Sequence, residues 1–279
     1  MAHATLRVTP LTPTIGGVVT GVDLSQPLSP AQVADLEGAL CDHLVLFFRD
    51  QQLDPESLRR VGRAFGELQV HALKGMDGFP EVRRLHADAN SKNVAGEEWH
   101  TDMSCIVTPP LGSILYLHTL PPKGGDTIFA SMYAAYEALS DGMKAYLEPL
   151  SALHDGYLAF GRFDPDGTYP KATHKVIRTH PVSGKKLLFV NKGFTSRILG
   201  VSKEEGEAIL AFLLRHCENA LFQCRFRWEP HSVAFWDNRC TQHLAIWDYF
   251  PAVRSGLRVQ IEGTPEAALR AEPGFRAAR

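Results

Sequence analysis

The amino-acid sequence predicts an α+β protein whose strands form a jelly-roll barrel with helices at its periphery. Strand-like runs separated by turns that contain glycine or proline recur along the chain, whereas helices with clear start signals are few. These helices do not alternate regularly with strands, and nothing resembles a glycine-rich phosphate loop, so repeated βαβ units are disfavoured. Because no internal repeat or low-complexity linker is apparent, residues 1–279 are interpreted as one domain.

Four helices are predicted from their start signals. Ser29 and Asp54 each place a capping residue directly before a proline at the first helical position. Ser202 is followed three positions later by Glu205, and this pair forms a capping box. The predicted helical segments are residues 30–44, 55–68, 132–140 and 204–220.

Strands are predicted between these helices and after the last of them. The run LVLFF, residues 44–48, is short and apolar, which is typical of a buried strand. Residues 103–117, MSCIVTPPLGSILYL, predict a strand, a turn and a second strand. Further strands separated by turns are predicted in FQCRFRW, HSVAFWDN and GLRVQIEG.

The composition is that of an ordinary globular protein and excludes several function classes. The apolar fraction is 44% and the charged fraction 22%, with a net charge of −2, so neither a nucleic-acid partner nor a membrane surface is expected. No apolar run near the start approaches the roughly 20 residues of a membrane span, and no signal peptide is apparent. The five cysteines contain no Cys-x-x-Cys pair, which is typical of reduced thiols and predicts a cytoplasmic location.

Three histidines are followed two positions later by an acidic residue, a spacing expected by chance about once in such a chain. The pairs are His86 with Asp88, His100 with Asp102, and His216 with Glu218. On a helix, residues two apart point roughly 200° apart, which excludes the pair in the last predicted helix. On a strand they project from one face about 6–7 Å apart, which suits coordination of one metal ion. Both other pairs remain candidates, and the strand-like sequence after His100 slightly favours the second.

A third metal ligand and two arginines follow in the last third of the chain. Two imidazoles and one carboxylate on one face of an octahedron leave open positions, as in non-haem Fe(II) oxygenases, and His243 in FWDNRCTQHLAIWDY is the candidate for the second imidazole. Arg254 and Arg258 lie four residues apart on one face of a predicted strand. Guanidinium groups stay charged when buried, so these arginines predict binding of carboxylate or sulfonate groups, unless the strand is an exposed edge.

Nearly the whole sequence resembles the taurine dioxygenase family, also called the taurine/2,4-dichlorophenoxyacetate dioxygenases, which use Fe(II) and 2-oxoglutarate. The similar stretches are GGVVTGVDLSQPLS, RAFGEL, WHTDMS, TPPLGSILY, GGDTIFASMYAAYEALS, THPVSGKKLLFVNKGFTSRILGVS and WDNRCTQHLAIWDY. The resemblance is greatest to the taurine enzyme itself. It implies a double-stranded β-helix, a jelly roll with flanking helices, and an oxygenase that uses O2 and releases succinate and CO2.

The resemblance also assigns residues. It implies that Fe(II) is held by His100, Asp102 and His243, which decides between the two candidate pairs, and that Thr127 and Arg254 bind the distal carboxylate of 2-oxoglutarate. The substrate contacts that match the taurine enzyme are His71, Phe194 and Arg258. Two other contacts differ, since Lys74 stands at the position of a tyrosine and Gly96 at that of an asparagine.

The expected substrate is a small organic anion, with alkanesulfonates and taurine-like compounds ranked first. Aryloxyalkanoates and sulfate esters are the alternatives, because Leu73-Lys74 resembles the aryloxypropionate-degrading members of the family. Outside the oxygenases, a zinc hydrolase could use the same ligands, and a silent jelly-roll binding protein could take the same anion. We also expect a homo-oligomer, a dimer or a tetramer.

Overall fold

The computed structural model of the chain describes residues 4–70, 75–94 and 96–264. Within these ranges the helices are α1 (Pro30–His43), α2 (Pro55–Arg63), α3 (Met132–Glu137), α4 (Asp141–Leu147), α5 (Gly156–Phe160) and α6 (Lys203–Cys217). The strands are β1 (Arg7–Pro10), β2 (Gly17–Thr20), β3 (Val45–Phe48), β4 (Gly75–Met76), β5 (Phe79–Ala87), β6 (Gly112–Thr119), β7 (Thr127–Ser131), β8 (Ser151–Asp155), β9 (Lys171–Lys175), β10 (Ile177–Thr179), β11 (Lys186–Leu188), β12 (Thr195–Leu199), β13 (Gln223–Phe226), β14 (Ser232–Asp237), β15 (Thr241–Ala245) and β16 (Arg254–Ile261). The protein is therefore a mixture of helices and β-sheets.

The largest sheet has eight strands in the order β1-β2-β3-β14-β6-β16-β5-β4. Its two faces are covered by different apolar clusters, because successive side chains of a strand point to opposite faces. On β3, Leu46 and Phe48 join a cluster that includes Leu36 of α1 and Leu58 of α2. Residues 45 and 47 of the same strand belong to the second cluster on the opposite face. The strand predicted in LVLFF is thus buried on both faces.

Two three-stranded sheets, β13-β7-β15 and β12-β8-β9, contribute to the second cluster. Phe47 of the large sheet stacks on Phe226 of β13 with ring centroids 3.9 Å apart, and it meets Phe129 of β7 edge-on at 5.6 Å. Trp236 of β14 also packs against Phe129, at 5.6 Å. These aromatic contacts hold β7 and β15 against the large sheet.

The predicted helix starts are confirmed. Ser29 and Gln32 form a reciprocal capping box, and Asp54 Oδ1 accepts a hydrogen bond from the backbone N–H of Ser57 at 2.7 Å. Ser202 and Glu205 form the capping box predicted for α6. Each cap satisfies backbone N–H groups that have no partner within the helix.

The predicted helix ends are too far along the chain. Helix α2 ends at Arg63 rather than residue 68, because Leu68 forms a β-bridge with Ile261 at the end of β16. Helix α3 ends at Glu137 because Ser140 caps a separate helix, α4, which the sequence patterns did not predict. Helix α6 ends at Cys217, and residues 220–222 form a short 3-10 helix instead of its last turn.

The strand predicted directly after His100 is wrong. Residues 102–108 form turns, with Met103 in the left-handed region at φ 51° and its carbonyl accepting from the N–H of Ile106. The second strand of that prediction is present as β6, and the three strands predicted near the end of the chain are β13, β14 and β16.

The described helices include none that is long and apolar enough to span a membrane, and the five cysteines are free thiols.

Candidate metal centre

His100 and His243 are joined by a β-bridge outside the regular strands. The N–H of His100 donates to the carbonyl of His243 at 3.1 Å, and the N–H of His243 donates back at 2.8 Å. The next residue, Thr101, donates its hydroxyl to the carbonyl of Thr241 at 2.7 Å. The segment that carries His100 and Asp102 is therefore fastened to β15, which brings the two histidines together across 143 positions of sequence.

The structure brings His100, Asp102 and His243 to one place. One potential ligand atom from each lies within 4.8 Å of the other two, and His100 Nε2 is 3.7 Å from Asp102 Oδ1. The two imidazole rings have their centroids 4.1 Å apart. His86 and Asp88 instead make a partly exposed pair at 3.5 Å. Among the described residues, neither belongs to a cluster with a third ligand, so this alternative pair is not supported.

The hydrogen bonds and charges around these side chains favour the forms that bind metals. His100 Nδ1 donates to the carbonyl of Glu98 at 2.7 Å, so Nε2 is the ring nitrogen left to face a metal. Burial would raise the pKa of Asp102, but Arg258 and the neighbouring histidines hold it well below its usual range. Burial, and after it the proximity of His100, lowers the pKa of His243 well below its usual value. Neutral imidazoles and an ionised carboxylate fit a divalent first-row metal.

The Asp102 carboxylate is oriented by Arg258 and by Ser113 and Asn238, two residues that the sequence analysis did not single out. Ser113 on β6 donates to Asp102 Oδ2 at 2.7 Å, and Asn238 Nδ2 donates to Ser113 Oγ at 3.0 Å. Arg258 Nη1 lies 3.2 Å from the other carboxylate oxygen, Oδ1. Small polar residues such as Ser113 leave no periodic signal in sequence, and their role becomes visible only from the register of β6 and β14.

Thr127 and Arg254 both contact Trp228, a further residue that the sequence analysis missed. The indole N–H of Trp228 donates to Thr127 Oγ1 at 3.0 Å, which leaves the hydroxyl hydrogen of Thr127 free to donate. The Arg254 guanidinium lies 5.7 Å from the Trp228 ring centroid, and its Nε donates to the carbonyl of Gly125 at 3.1 Å. Arg254 Nη2 is buried without a hydrogen-bond partner among the described residues. These groups could receive a carboxylate.

The predicted substrate-side residues are only partly described. Phe194 is buried, and the neighbouring Gly193 donates its N–H to the carbonyl of Trp99, directly before His100. Gly96 has φ 89°, and a Cβ there would lie 3.1 Å from His100 Cε1. Arg258, which was expected to bind an organic anion, pairs in the structure with Asp102 Oδ1 and donates to Gln260 Oε1, each at 3.2 Å. The predicted contacts His71 and Lys74 lie outside the described residues.

A second cluster of metal-ligand types, His180, Asp237 and Cys240, is satisfied by protein partners. His180 Nε2 donates to Asp237 Oδ2 at 3.1 Å, and its Nδ1 accepts from the backbone N–H of Ser183 at 3.1 Å. Arg239 pairs with the same carboxylate through Nη2 at 2.6 Å. With both imidazole nitrogens and the carboxylate engaged, this cluster is a structural support of the turn that precedes His243.

The sequence and the structure of the chain are similar to known proteins over most of its length. Residues 7–260 match the family model described as "Taurine catabolism dioxygenase TauD, TfdA family". The chain is 32% identical to an alpha-ketoglutarate-dependent sulfate ester dioxygenase of Pseudomonas putida, over 92% of this chain and 90% of that protein. It is also 32% identical to an alpha-ketoglutarate-dependent sulfonate dioxygenase of Saccharomyces cerevisiae, over 94% and 67%. The crystal structure of a taurine dioxygenase from Burkholderia xenovorans superimposes with a TM-score of 0.83 at 35% identity, over 93% and 92% of the two chains.

Proposed function

The chain belongs to the taurine catabolism dioxygenase TauD, TfdA family, and from this premise we propose that it hydroxylates a small alkanesulfonate or taurine-like anion with 2-oxoglutarate and O2. Succinate, CO2 and the hydroxylated substrate are the products. Two observations carry the proposal: the convergence of His100, Asp102 and His243, and the buried Nη2 of Arg254, which has no hydrogen-bond partner among the described residues. One feature fits a metal and the other fits a carboxylate.

His100, Asp102 and His243 are the proposed Fe(II) ligands. When bound, Fe(II) would supply the oxidising chemistry that converts 2-oxoglutarate, O2 and a substrate C–H into succinate, CO2 and a C–OH, with one oxygen atom in succinate and the other in the hydroxyl group. The chain's part is to present two neutral imidazoles and one ionised carboxylate, and the hydrogen bond from Ser113 leaves Asp102 Oδ1 directed towards the histidines. Phe129 and Trp236 pack on the His243 ring, with centroids 5.9 and 4.8 Å away, and limit its rotation.

Arg254 and Thr127 are the proposed partners of the distal carboxylate of 2-oxoglutarate. Arg254 is 8% exposed, so its interaction with a carboxylate is little weakened by water and salt. The Thr127 hydroxyl, held by Trp228, can donate to the same group. Hydrogen bonds to the carboxylate from the charged guanidinium and from the hydroxyl would fix the co-substrate at its far end.

Arg258 and Phe194 are proposed to contact the substrate, together with His71 and Lys74, which lie outside the described residues. Arg258 shares the inner face of β16 with Arg254 and reaches the proposed ligand Asp102, so an anion beside it would lie close to the metal.

We further propose that the sheets form a double-stranded β-helix within one domain, and that the protein works in the cytoplasm as a homo-oligomer. The single-domain proposal is supported by the large sheet, which contributes to both apolar clusters.

The function is tested by measuring succinate release with Fe(II), 2-oxoglutarate and O2 on a panel of alkanesulfonates, alkyl sulfates and aryloxyalkanoates. We expect release to be stimulated by alkanesulfonates and to require O2. Stimulation by aryloxyalkanoates alone would favour the second substrate class. Turnover that does not need O2 would favour a hydrolase, and saturable binding of these anions without turnover would favour a binding protein.

A further inference from the structure

Arg83 lies directly opposite Arg258 in the large sheet. Strands β5 and β16 are antiparallel, and their register pairs Arg83 with Arg258, Leu85 with Gly256, and Ala87 with Arg254. Residues directly opposite each other in such a pair have Cβ atoms about 4.5–5.5 Å apart. The same register that brings Arg258 to the candidate metal centre therefore brings a further arginine next to it.

The Arg83 side chain is on the inner face of the sheet. Leu85, two residues later on β5, packs against the inner apolar cluster that contains Trp236 and Phe129. Val82, one residue earlier, belongs to the outer cluster beneath α1 and α2. Because side chains alternate along a strand, Arg83 points inward, whereas Arg84 is exposed on the other face.

Arg83 has no anionic partner of its own among the described residues. Asp102 is the acid whose charge acts on it, and Asp102 already accepts from Arg258 at 3.2 Å. Burial, and after it the charge of Arg258, lowers the pKa of Arg83 to about 10, so the Arg83 guanidinium remains charged at neutral pH. The acid whose charge acts on Arg83 is thus already paired with Arg258, and it is a proposed metal ligand.

Like charges directly opposite in a sheet are unfavourable unless an anion lies between them. A sulfonate or sulfate headgroup has three oxygens, so each guanidinium can donate to an oxygen of its own. Arg258 Nε is also buried without a partner in the described part of the chain, which leaves a further donor for the anion. These features indicate a two-arginine anion site beside the metal centre.

We propose that Arg83 is a substrate-binding residue that holds the sulfonate or sulfate headgroup together with Arg258. This inference rests on the proposed function and adds a specificity determinant to it. The neighbouring Arg84 provides a matched control, since it is the same residue type on the same strand but faces away from the site.

The test compares Arg83→Gln with Arg84→Gln, using 1-hexanesulfonate and hexyl sulfate as probes. For Arg83→Gln we expect KM for both probes to rise about ten- to hundredfold, as for loss of one hydrogen bond to a charged group, with a much smaller change in kcat. Arg84→Gln should keep the wild-type KM. Arg83→Lys keeps the charge but not the two-pronged donor, so its KM should fall between those of wild type and Arg83→Gln.

A second readout does not depend on turnover. Calorimetry measures 1-hexanesulfonate binding to the full-length protein with Mn(II) and N-oxalylglycine, a non-reactive analogue of 2-oxoglutarate. We expect Arg83→Gln to weaken this binding by the same factor as KM and Arg84→Gln to leave it unchanged. If wild type releases no succinate with any sulfonate yet binds 1-hexanesulfonate through Arg83, the proposed function fails and the anion site stands.

The inference is overturned if wild type does not bind 1-hexanesulfonate, or if Arg83→Gln binds it as tightly as Arg84→Gln does. Should Arg83→Gln fail to fold, as judged by circular dichroism and thermal melting, Arg83→Lys decides the question. A KM for Arg83→Lys equal to that of wild type would then overturn the inference.

Discussion

Replacing Arg254 by alanine should weaken 2-oxoglutarate binding strongly. Truncating one partner of a buried charge pair costs about 2–5 kcal/mol. Arg254 is buried, but its Nε already donates to the carbonyl of Gly125, and the Thr127 hydroxyl remains as a donor in the variant. The loss should therefore fall in the lower half of that range, about 2–3 kcal/mol, which corresponds to a roughly 30- to 160-fold higher Kd.

The assay is calorimetric titration of 2-oxoglutarate into protein loaded with Mn(II), without O2. Arg197→Ala serves as the control, because Arg197 is an exposed arginine on β12 and no contact to the centre is expected from it. Thermal melting of both variants establishes that they are folded. A Kd for Arg254→Ala within twofold of the control would refute the assignment and would point to Arg258 as the partner of the distal carboxylate.

Three other perturbations follow from the geometry. Asp102→Ala should abolish substrate-dependent succinate release and reduce Mn(II) affinity at least about tenfold, because it removes the carboxylate of the proposed ligand set. A succinate assay checks the first outcome, and calorimetry checks the second. Trp228→Phe should raise the Kd of 2-oxoglutarate about two- to tenfold by releasing the Thr127 hydroxyl, and an unchanged value would mean that this hydrogen bond is dispensable. Burial lowers the pKa of His154 to about 3. The unfolded chain therefore binds a proton at this histidine below about pH 6.5 while the folded protein does not, so the free energy of unfolding falls as the pH is lowered from 6.5 towards 3. Urea midpoints of His154→Gln should therefore depend less on pH between 6.5 and 4 than those of wild type.

The structure brings the predicted pair, His100 and Asp102, together with His243, but not in the way that the sequence patterns predicted. Spacing along a strand was expected to place His100 and Asp102 on one face. In the structure, Asp102 lies in a turn, and His100 pairs with His243 through an isolated β-bridge rather than within a strand. A bridge between residues so far apart in the chain depends on tertiary packing, which local periodicity does not encode. The motif resemblance, which does not depend on local periodicity, selected the pair that the structure brings together with His243.

Arg83 could not have been assigned from sequence. The run FPEVRRLHA contains adjacent arginines, and a shift of one residue in strand register exchanges the one that faces inward with the one that faces water. Register is decided here by pairing with β16 and by the packing of Val82 and Leu85 on opposite faces. A substrate-binding role on such a strand can be inferred only after both neighbours of the strand are known.

The turn after β14 connects both halves of the candidate centre, which explains why the geometry depends on residues that bind no metal. Asn238 donates to Ser113, which in turn orients the Asp102 carboxylate. Three residues later, the carbonyl of Thr241 accepts from the Thr101 hydroxyl and so fixes the segment between His100 and Asp102. A single short turn therefore sets the direction of the carboxylate and the position of the segment that carries it. Changes in this turn should alter metal affinity without touching a ligand, because displaced hydrogen-bond partners reorient the carboxylate.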